Sequence, residues 1–317
     1  MTSRRRVFVS APLLGDGVAR LEARCDVVVG RTSVGVAELP TGPFDAIVSM
    51  LTDRIDDALL ARLPGLALVA NVAVGVDNVD LAACRARGVA VTNTPDVLTD
   101  ATADLAFALL LAAARRVAEG DRLLRAGTFP PWTLETMLGT TVHHRTIGIV
   151  GFGRIGRAVA RRARGFEMNV LYTQRHRAPA AVEADLGATH VSLDELTARS
   201  DFVTLHCPLT PETRGLFGEA RFAAMKPGAI FVNTARGGCV DEAALARALA
   251  RGHLGGAGLD VFAAEPAVDP ALLAEPRVVL TPHVGSAELA TRTAMARVAV
   301  DNVVAWLSGS PLLTPVA

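Results

Sequence analysis

The sequence predicts an α/β protein built from two doubly wound parallel-sheet domains. Three observations support this prediction. The chain has 317 residues and is 50% apolar, which suits two hydrophobic cores better than one. Short runs rich in β-branched residues alternate with Ala-, Leu- and Arg-rich stretches of helical character. A glycine-rich turn at 151–156 lies directly between a strand-like run and a helical run, as a dinucleotide-binding unit requires.

The first domain is predicted from four strand candidates, RVFVSA, DAIVSM, LALVANV and VAVTNT. Four strands with their crossovers by about residue 95 suffice for a small, flavodoxin-like sheet. A long helix is predicted next, from about Thr99 to Glu119, with Asp100 as its N-cap and an end near Gly120. The segment 126–144 is rich in turn formers, and we interpret it as an excursion from the fold that could reach a partner subunit.

The second domain shows a more regular pattern. Six strands are predicted in TIGIVGFG, NVLYTQ, DFVTLHCP, FVNTAR, GAGLDVF and VVLTPHV, which is the count of a full Rossmann dinucleotide-binding sheet. The last helical stretch, 286–309, is long enough to return to the first domain. We therefore predict a substrate-binding domain of residues 1–98 plus 289–317, a dinucleotide-binding domain of residues 99–288, and an active cleft between them.

Composition excludes several classes of function. The 32 basic and 32 acidic residues balance, so no overall field attracts nucleic acid or a membrane surface. Lys226 is the only lysine, which argues against Schiff-base chemistry. The four cysteines form no C-x-x-C pair, so we expect neither a metal nor disulfides, and a cytoplasmic location. The longest apolar run, 105–114, has about half the residues that a bilayer crossing needs, so we predict a buried helix there.

The glycine turn is the candidate phosphate-binding element. Gly151 permits the tight turn, Gly153 lets the backbone approach a pyrophosphate, and Gly156 lets the helix pack on the strand; Arg154 and Ile155 complete the turn. The spacing alone is a weak signal, because glycine turns also occur without a ligand. The strand before it and the amphipathic helix after it favour dinucleotide binding.

The end of the next strand indicates which dinucleotide is bound. NAD enzymes commonly carry an acid there for the ribose hydroxyls, whereas this chain has Gln174, followed by Arg175, His176 and Arg177. A carboxylate about 4 Å from a 2′-phosphate would cost on the order of 4 kcal/mol at an effective dielectric near 20. We therefore predict that NADP(H) is preferred and NAD(H) remains possible. The plainer alternative is that the arginines only solvate a loop.

Polar residues follow three later strands of the second domain. Arg236 lies in VNTARGG, Asp260 and Glu265 lie in GLDVFAAEP, and His283 lies in LTPHVGSA. Ligands of open α/β sheets bind beyond the carboxyl ends of the strands, so these side chains can converge on one crevice. Singly, each has a plainer interpretation, such as a surface arginine, an exposed loop acid or a hydrogen-bonded strand-end histidine.

Together these motifs resemble the D-isomer-specific 2-hydroxyacid dehydrogenases. TARGG, GLDVF-x-x-EP and TPHVGSA follow GFGRIG at the family's spacing. Upstream, NVAVGVDNVD and GVAVTNTPDVLTDATAD fit as well, as does LHCPLTPETRGL within the second domain, so the resemblance covers nearly the whole chain.

The chemistry of such an enzyme suits these residue types. Reduction of a 2-keto acid needs a cation for the carboxylate, a proton for the carbonyl oxygen and a hydride. Arg236 offers a bidentate guanidinium and His283 a proton donor, while Glu265 would fix the imidazole ring and favour its charged form. Asp260 matches the family's aspartate near the nicotinamide.

The resemblance also implies binding residues that the residue types alone would not reveal. It places the substrate carboxylate against the loop of Val74 and Gly75, whose alternative interpretation is a simple turn. It adds Ser286 to the substrate site. It implies these further cofactor-binding residues: Thr102, Cys207, Pro208, Thr213, Thr234 and Gly285, besides Asp260 and His283.

Within the family, the short chain and the neutral Gln174 look most like glyoxylate/hydroxypyruvate reductases. Formate dehydrogenases have glutamine as the partner of the histidine, which Glu265 contradicts. Phosphoglycerate dehydrogenases often carry an additional domain, and phosphite dehydrogenases keep the same three catalytic residues and stay an alternative. Some reductases insert an aromatic residue from the neighbouring subunit of a homodimer. Trp132 is the candidate for that role here, with Thr136 and Met137 nearer in register, and packing at an interface is its alternative role.

A different class of function is a nucleotide-sensing binding protein, like the transcriptional corepressors that share this fold. Turnover distinguishes the two classes, because a sensor would bind nucleotide without reducing 2-keto acids. No peptide groove or regulatory tail is evident in the sequence, so we favour the enzyme.

Overall fold

The computed structural model describes residues 4–30 and 42–316. These residues divide into two compact units. The first comprises Met1–Leu98 and Ser286–Ala317, and the second comprises Thr99–Gly285. The chain thus passes from one unit to the other twice, the second time between Gly285 and Ser286.

The first unit is built on a five-stranded parallel sheet. Its strands are β1 (Arg6–Val9), β2 (Asp26–Val29), β3 (Ala46–Met50), β4 (Leu68–Val72) and β5 (Ala90–Thr92). Its first three helices are α1 (Gly17–Glu22), α2 (Asp57–Arg62) and α3 (Leu81–Ala86). The strand order β2-β1-β3-β4-β5 is the flavodoxin-like order, which confirms the predicted fold class of this unit.

The sequence prediction missed strand β2. This four-residue strand, DVVV, pairs only with β1 at the edge of the sheet, and Val28 and Val29 are exposed. Its three consecutive valines favour a strand, but the run is only four residues long and so is a weak signal. The first sheet therefore has five strands where four were expected.

The second unit is built on a seven-stranded sheet whose pairings are all parallel. Its strands are β6 (Thr146–Val150), β7 (Asn169–Thr173), β8 (Ala188–His190), β9 (Phe202–Leu205), β10 (Ile230–Asn233), β11 (Gly256–Leu259) and β12 (Val278–Leu280). Its helices are α4 (Thr99–Ala114), α5 (Val117–Arg125), α6 (Arg154–Arg164), α7 (Ala180–Leu186), α8 (Leu193–Arg199), α9 (Glu219–Ala224), α10 (Glu242–Ala250) and α11 (Pro270–Ala274), with a 3₁₀ turn at Gly237–Cys239.

The order of this sheet, β12-β11-β10-β9-β6-β7-β8, contains the Rossmann arrangement. The six predicted strands are all present, and the short β8 is an additional edge strand. Strands β9, β10 and β11 are buried along their whole length, between two hydrophobic clusters. Because all strands run the same way, their carboxyl ends share one edge, where the candidate site residues follow.

The helix predicted from Thr99 to Glu119 is two helices in the structure. Helix α4 ends at Ala114 and Arg116 adopts a left-handed conformation with φ of 52°, before α5 begins. The Arg116 guanidinium donates to both carboxylate oxygens of Glu119 at 2.6 and 2.8 Å, which holds the break in place. Asp100 lies inside the first turn of α4 and not at its N-cap, and Gly120 lies within α5.

The chain completes the first unit with α12 (Leu289–Leu307), which packs on β3, β4 and α1. The C-terminal segment after α12 then runs antiparallel beside β5, where Pro315 pairs with Thr92 and the Val316 N–H donates to the Val91 carbonyl at 2.8 Å. Within residues 4–30 and 42–316, every helix is too short or too polar to cross a bilayer.

Candidate active site

The glycine turn has the geometry that phosphate binding requires. Gly151 has φ of 93°, and a Cβ there would lie 2.6 Å from the carbonyl carbon of His206. A Cβ at Gly156 would lie 2.2 Å from the Gly151 oxygen, so helix α6 can close on the turn only through glycine. In contrast, a Cβ at Gly153 would have no neighbour within 4 Å. Gly153 therefore faces open space at the N-terminus of α6, flanked by exposed Arg154 and half-buried Ile155.

Gln174 links the glycine turn to the loop after β7. Its Oε1 accepts from the Phe152 N–H at 3.2 Å, and its Nε2 donates to the His176 carbonyl at 2.6 Å. A carboxylate could make the first bond but not the second, because it has no donor. Arg175 and His176 are exposed beside it, so this side of the turn carries no negative charge from residue 174.

Arg177 is engaged within the protein. Its Nε and Nη2 donate to the two carboxylate oxygens of Glu183 in α7, at 2.9 and 2.8 Å. Buried Glu183 also accepts from the Tyr172 hydroxyl at 2.5 Å, and the Ala178 N–H donates to that hydroxyl at 2.9 Å. Of the two predicted phosphate ligands, Arg175 thus extends into solvent, whereas Arg177 already has an acidic partner.

The loop after β10, which carries Arg236, packs against the loop that carries Glu265. A Cβ at Gly237 would lie 1.9 Å from the carbonyl carbon of Phe262, so only glycine fits. The side chain of Asn233 shapes the same loop, since it donates to the Arg236 carbonyl and accepts from the Ala235 N–H, both at 2.9 Å. Arg236 is half-buried, and its Nη1 donates to the Ala235 carbonyl at 2.8 Å.

His283 and Glu265 form a hydrogen-bonded pair. The Nδ1 atom of His283 lies 2.8 Å from Oε2 of Glu265, and the side chains are 25% and 31% exposed. The other oxygen of Glu265 accepts from the Phe262 N–H at 2.9 Å. Because Nδ1 is engaged by the carboxylate, the second ring nitrogen of His283 is the one available to a substrate.

Asp260 holds the loop that presents His283. Its Oδ1 accepts from the Thr281 hydroxyl at 2.6 Å and the Val284 N–H at 2.8 Å, and its Oδ2 accepts from the Gly285 N–H at 2.9 Å. The Asp260 carbonyl accepts from the His283 N–H at 2.8 Å. These bonds keep His283 in a left-handed conformation, with φ of 51°. Both carboxylate oxygens of Asp260 therefore accept hydrogen bonds from the loop that carries His283.

The two acids differ in their protonation behaviour. Burial works to raise the pKa of Glu265, but hydrogen bonds from His283 and Phe262, with the charges of His283 and Arg236, outweigh it and lower that pKa below its usual value. Burial raises the pKa of the Asp260 carboxyl despite its hydrogen bonds. Gly237, next to Arg236, lies against Phe262, whose N–H donates to Glu265, so the loop of Arg236 is adjacent to the Glu265–His283 pair.

Two buried polar groups near this edge lack partners among the described residues. They are the hydroxyl of Thr234, after β10, and Nδ1 of His206, after β9. Nε2 of His206 is hydrogen-bonded to the hydroxyl of Thr204, a residue of β9, at 2.9 Å. Burial lowers the pKa of His206 to about 3, so its ring is neutral. Orphaned buried polar atoms beside an open glycine turn fit a site for a large polar ligand such as a dinucleotide.

The remaining predicted cofactor residues of the second unit occupy the same edge of the sheet. The Thr213 hydroxyl donates to the Pro208 carbonyl at 2.6 Å, which closes the loop after Cys207. A hydrogen bond with Cys239, together with burial, raises the pKa of the Cys207 thiol, so it stays protonated. Buried Thr102 lies under the His283 loop, 3.5 Å from the position of a Cβ on Gly285.

The predicted substrate loop belongs to the first unit. Val74 is exposed and Gly75 half-buried, and their carbonyls accept from the side chains of Asn93 at 2.8 Å and Asn71 at 3.1 Å. Half-buried Ser286 begins the C-terminal part of this unit, where its carbonyl accepts from the Glu288 N–H at 2.7 Å.

Other features of the molecule lie apart from this constellation. In the parts of the chain that the structure describes, no three His, Cys, Asp or Glu side chains come together as metal ligands. A shallow cavity of about 540 Å³ lies between α10 and α11, is lined mainly by alanines and contains none of the predicted site residues.

Three further residues, which were not predicted from the sequence, shape the site: Gly237, Thr281 and Asn93. The doubled glycine after Arg236 was a visible signal of a close backbone approach. Thr281 and Asn93 act through hydrogen bonds between distant segments, for which no local pattern exists.

Comparison with known proteins gives a consistent result. The family model described as "D-isomer specific 2-hydroxyacid dehydrogenase, NAD binding domain" matches residues 107–285. A glyoxylate reductase of Pyrococcus horikoshii is 50% identical over 315 residues, which cover 96% of this chain and 93% of that protein. A crystal structure of a Thermus thermophilus protein has a TM-score of 0.91 at 46% identity and covers 98% of this chain and 100% of that one. An NADPH-dependent glyoxylate/hydroxypyruvate reductase from Sinorhizobium meliloti, in complex with NADP and malonate, has a TM-score of 0.83 at 36% identity, with 99% and 97% of the two chains covered.

Proposed function

The chain belongs to the D-isomer-specific 2-hydroxyacid dehydrogenases, which are NAD(P)-dependent enzymes, and on this premise we propose that it reduces glyoxylate and hydroxypyruvate with a preference for NADPH. The observation that carries the proposal is the hydrogen-bonded pair of Glu265 and His283 beside the loop of Arg236, at the carboxyl edge of the seven-stranded sheet. Relatives at 46% to 50% identity over nearly the full chain bear the name glyoxylate reductase, which supports a small 2-keto acid as the substrate.

Arg236 binds the substrate carboxylate in this proposal. Its guanidinium can make two parallel hydrogen bonds to a carboxylate, which orients the adjacent keto group. Gly237 packs closely against Phe262, which fixes the backbone next to Arg236. For the first unit, we assign binding of the substrate carboxylate to the amide N–H groups of the Val74 and Gly75 loop and to Ser286.

His283 donates the proton to the keto oxygen. The ionised Glu265 accepts a hydrogen bond from Nδ1, which sets the tautomer, stabilises the charged imidazole and leaves Nε2 to donate. Because the pKa of Glu265 is lowered, this partner remains a carboxylate well into the acid range. Asp260 supports the loop of His283 from beneath, and we assign it a role in orienting the nicotinamide as well.

The nicotinamide dinucleotide supplies the hydride when it is bound. Gly151, Gly153, Arg154, Ile155 and Gly156 are the residues that would hold its pyrophosphate, at the N-terminus of α6. The orphaned Thr234 hydroxyl and the loop of Cys207, Pro208 and Thr213 would line it, with Thr102 and Gly285 near the His283 end.

The preference for NADPH rests on the loop after β7. Gln174 presents no negative charge, and its hydrogen bonds to Phe152 and His176 bring exposed Arg175 beside the turn. Arg175 is the principal 2′-phosphate ligand in this proposal, since the Nε and Nη2 atoms of Arg177 are committed to Glu183. The S. meliloti relative is described as NADPH-dependent, which agrees with this preference.

The exposed apolar residues after α4 support a homodimer. Val117, Leu124, Phe129, Trp132, Leu134 and Leu138 are large, apolar and between 55% and 82% exposed. The segment is ordered by local bonds, because the Thr136 hydroxyl donates to the Pro131 carbonyl and accepts from the Thr133 N–H, both at 2.9 Å. An ordered, exposed apolar surface is typical of a subunit interface, and we assign it to a second copy of this chain.

A kinetic screen tests the proposal. Glyoxylate, hydroxypyruvate, pyruvate and 3-phosphohydroxypyruvate would be assayed with NADPH and NADH, and phosphite with NADP⁺ and NAD⁺. We expect the highest kcat/KM for NADPH with glyoxylate or hydroxypyruvate. Oxidation of phosphite as the main activity would replace this assignment, and tight nucleotide binding without turnover would favour a sensor.

Gln174→Asp tests the cofactor preference within that screen. The new carboxylate would repel a 2′-phosphate and accept from ribose hydroxyls, so we expect the ratio of kcat/KM for NADPH over NADH to fall by about a hundredfold or more. Gln174→Asn is the matched control, because it shortens the side chain equally without adding charge. An unchanged ratio in the Asp variant would rule out the proposed role of this position.

A further inference from the structure

The substrate loop of the first unit is held through its carbonyl groups. Asn93, directly after β5, donates from Nδ2 to the Val74 carbonyl at 2.8 Å. Thr94, the next residue, also links the segment after β5 to this loop, since its N–H donates to the Ala73 carbonyl at 2.8 Å. Only the amide nitrogen of Asn93 can make its bond, because the partner is a carbonyl oxygen.

We propose that Asn93 is a positioning residue for substrate binding, held in place by the C-terminal segment through Thr314. The inference rests on the proposed function, in which the amide N–H groups of this loop bind the substrate carboxylate. It extends that function to residues that touch neither substrate nor cofactor.

The planarity of the peptide bond transmits the constraint. In a trans peptide the C=O of one residue and the N–H of the next point in opposite directions. The bond from Asn93 to the Val74 carbonyl therefore fixes the direction of the Gly75 N–H. Asn71 acts in the same way on the next peptide, because its Nδ2 donates to the Gly75 carbonyl at 3.1 Å and so directs the Val76 N–H.

Both directed N–H groups remain available for a ligand. None of the hydrogen bonds among the described residues uses the N–H of Gly75 or Val76. Asn71 is itself fixed, because its side-chain oxygen accepts from the Ser49 hydroxyl at 3.0 Å and from Asn78 at 3.1 Å. The loop thus offers two oriented donors on a rigid base, which is the arrangement that recognises a carboxylate.

Asn93 depends on the C-terminal segment for its own position. The Thr314 hydroxyl donates to the Asn93 carbonyl at 2.6 Å, and the Asn93 N–H donates to the Thr314 carbonyl at 3.3 Å. Thr314 is anchored in turn by Asn302, a fully buried residue of α12, whose side chain donates to its hydroxyl at 2.9 Å and accepts from its N–H at 3.1 Å. A continuous set of hydrogen bonds therefore joins α12 to the Val74 carbonyl.

The experiment compares Asn93→Ala and Thr314→Val with Ser308→Ala as the control. Ser308 lies at the end of α12 and donates to the Val304 carbonyl at 2.8 Å, so its variant removes a similar hydroxyl bond without touching the loop. Each protein would be assayed for KM and kcat with glyoxylate at saturating NADPH, for the Kd of NADPH by fluorescence, and for thermal stability.

We expect the KM for glyoxylate to rise about fivefold or more in Asn93→Ala, since a directed hydrogen bond contributes on the order of 1 kcal/mol. Thr314→Val should raise KM by a smaller factor in the same direction. The kcat at saturation and the Kd of NADPH should stay within about twofold of wild type, and Ser308→Ala should match wild type throughout.

Unchanged KM in both variants, with an active wild-type enzyme, would overturn the inference and leave the proposed function standing. A fall in kcat and a rise in the Kd of NADPH together with KM would also overturn it, because that pattern indicates general disruption. Failure of the wild-type protein to reduce either keto acid would instead contradict the proposed function.

Discussion

The carboxylates of the second unit show how local surroundings assign different tasks to the same chemical group. Glu265 is partly exposed and paired with His283, and it remains ionised. Asp260 is 1% exposed, and both of its carboxylate oxygens accept hydrogen bonds from the loop of His283. Glu183 is remote from that loop and ties Arg177 to Tyr172. The sequence predicted the first two as site residues, but it offered no signal for the third.

Glu183 provides a prediction about pH. Hydrogen bonds from Arg177 and Tyr172 lower the pKa of Glu183 from an ordinary 4.5 to about 2. A carboxyl whose pKa is depressed on folding stabilises the protein above its unfolded pKa, and that contribution is lost as the pH falls through the folded value. We therefore expect Glu183→Gln to lower the melting temperature at pH 7, and the difference from wild type to shrink between about pH 4.5 and pH 2.

Thermal unfolding followed by circular dichroism across this pH range measures the effect. Glu22→Gln is a suitable control, because Glu22 is exposed at the end of α1 and its carboxylate has no hydrogen-bond partner among the described residues. A difference between Glu183→Gln and wild type that stayed constant down to pH 2 would mean that the charge of Glu183 does not stabilise the fold.

At the scale of elements, close approach of loops builds the cluster that we propose to be catalytic. Strands β10, β11 and β12 each end in a loop that contributes one of the three groups, and glycine at 237 lets the first loop touch the second. The strands themselves were predictable from their apolar composition. The contact between the loops was not, because it depends on tertiary geometry between segments about 25 residues apart.

The neighbouring glycines provide a matched test of this contact. In Gly237→Ala the new Cβ would lie 1.9 Å from a backbone carbon, whereas in Gly238→Ala the nearest atom is the flexible end of Leu209 at 3.0 Å. We expect Gly237→Ala to lose at least about 2 kcal/mol of unfolding free energy and roughly a hundredfold in kcat/KM. Gly238→Ala should lose much less in both measurements.

Chemical denaturation measures the unfolding free energy of the two variants, and steady-state kinetics measure their kcat/KM. Equal effects in both variants would show that the approach of the Arg236 loop to Phe262 is not what positions the cluster.

Other elements show where prediction from sequence fails. The edge strands β2 and β8 were missed because they are short and only partly buried. The break at Arg116 was missed because the apolar pattern of α4 continues toward it and gives no sign of the left-handed conformation of Arg116. Helix α6 and its glycine turn were predicted correctly, since their signals are local.

At the scale of the whole molecule, the chain forms two units, each with its own parallel sheet and core. Family membership follows from motifs spread over nearly the whole sequence and is supported by relatives at up to 50% identity over the same length. The substrate, the cofactor preference and the assembly state depend on finer differences between members of the family.

The assembly state gives a prediction at this scale. Phe129 and Trp132 are 78% and 81% exposed, so a charge there should not disturb the fold of one chain. We expect wild type to sediment as a dimer and the double variant Phe129→Glu, Trp132→Glu to sediment as a monomer, because a buried unpaired charge opposes association. Leu313→Glu, at an apolar residue of the first unit that is 60% exposed, is the control and should remain dimeric.

Analytical ultracentrifugation distinguishes these outcomes. A wild-type protein that sediments as a monomer, or a double variant that remains dimeric, would exclude this segment as the interface.

Single-turnover reduction of glyoxylate by wild type and His283→Ala, with NADPH bound to saturation, tests whether His283 is the proton donor. We predict conversion to glycolate by wild type, a loss of about 10²- to 10⁴-fold in rate in the variant, and a nearly unchanged Kd for NADPH. Reduction at the wild-type rate by His283→Ala would contradict the assignment of His283 as the proton donor, and with it the proposed reaction site.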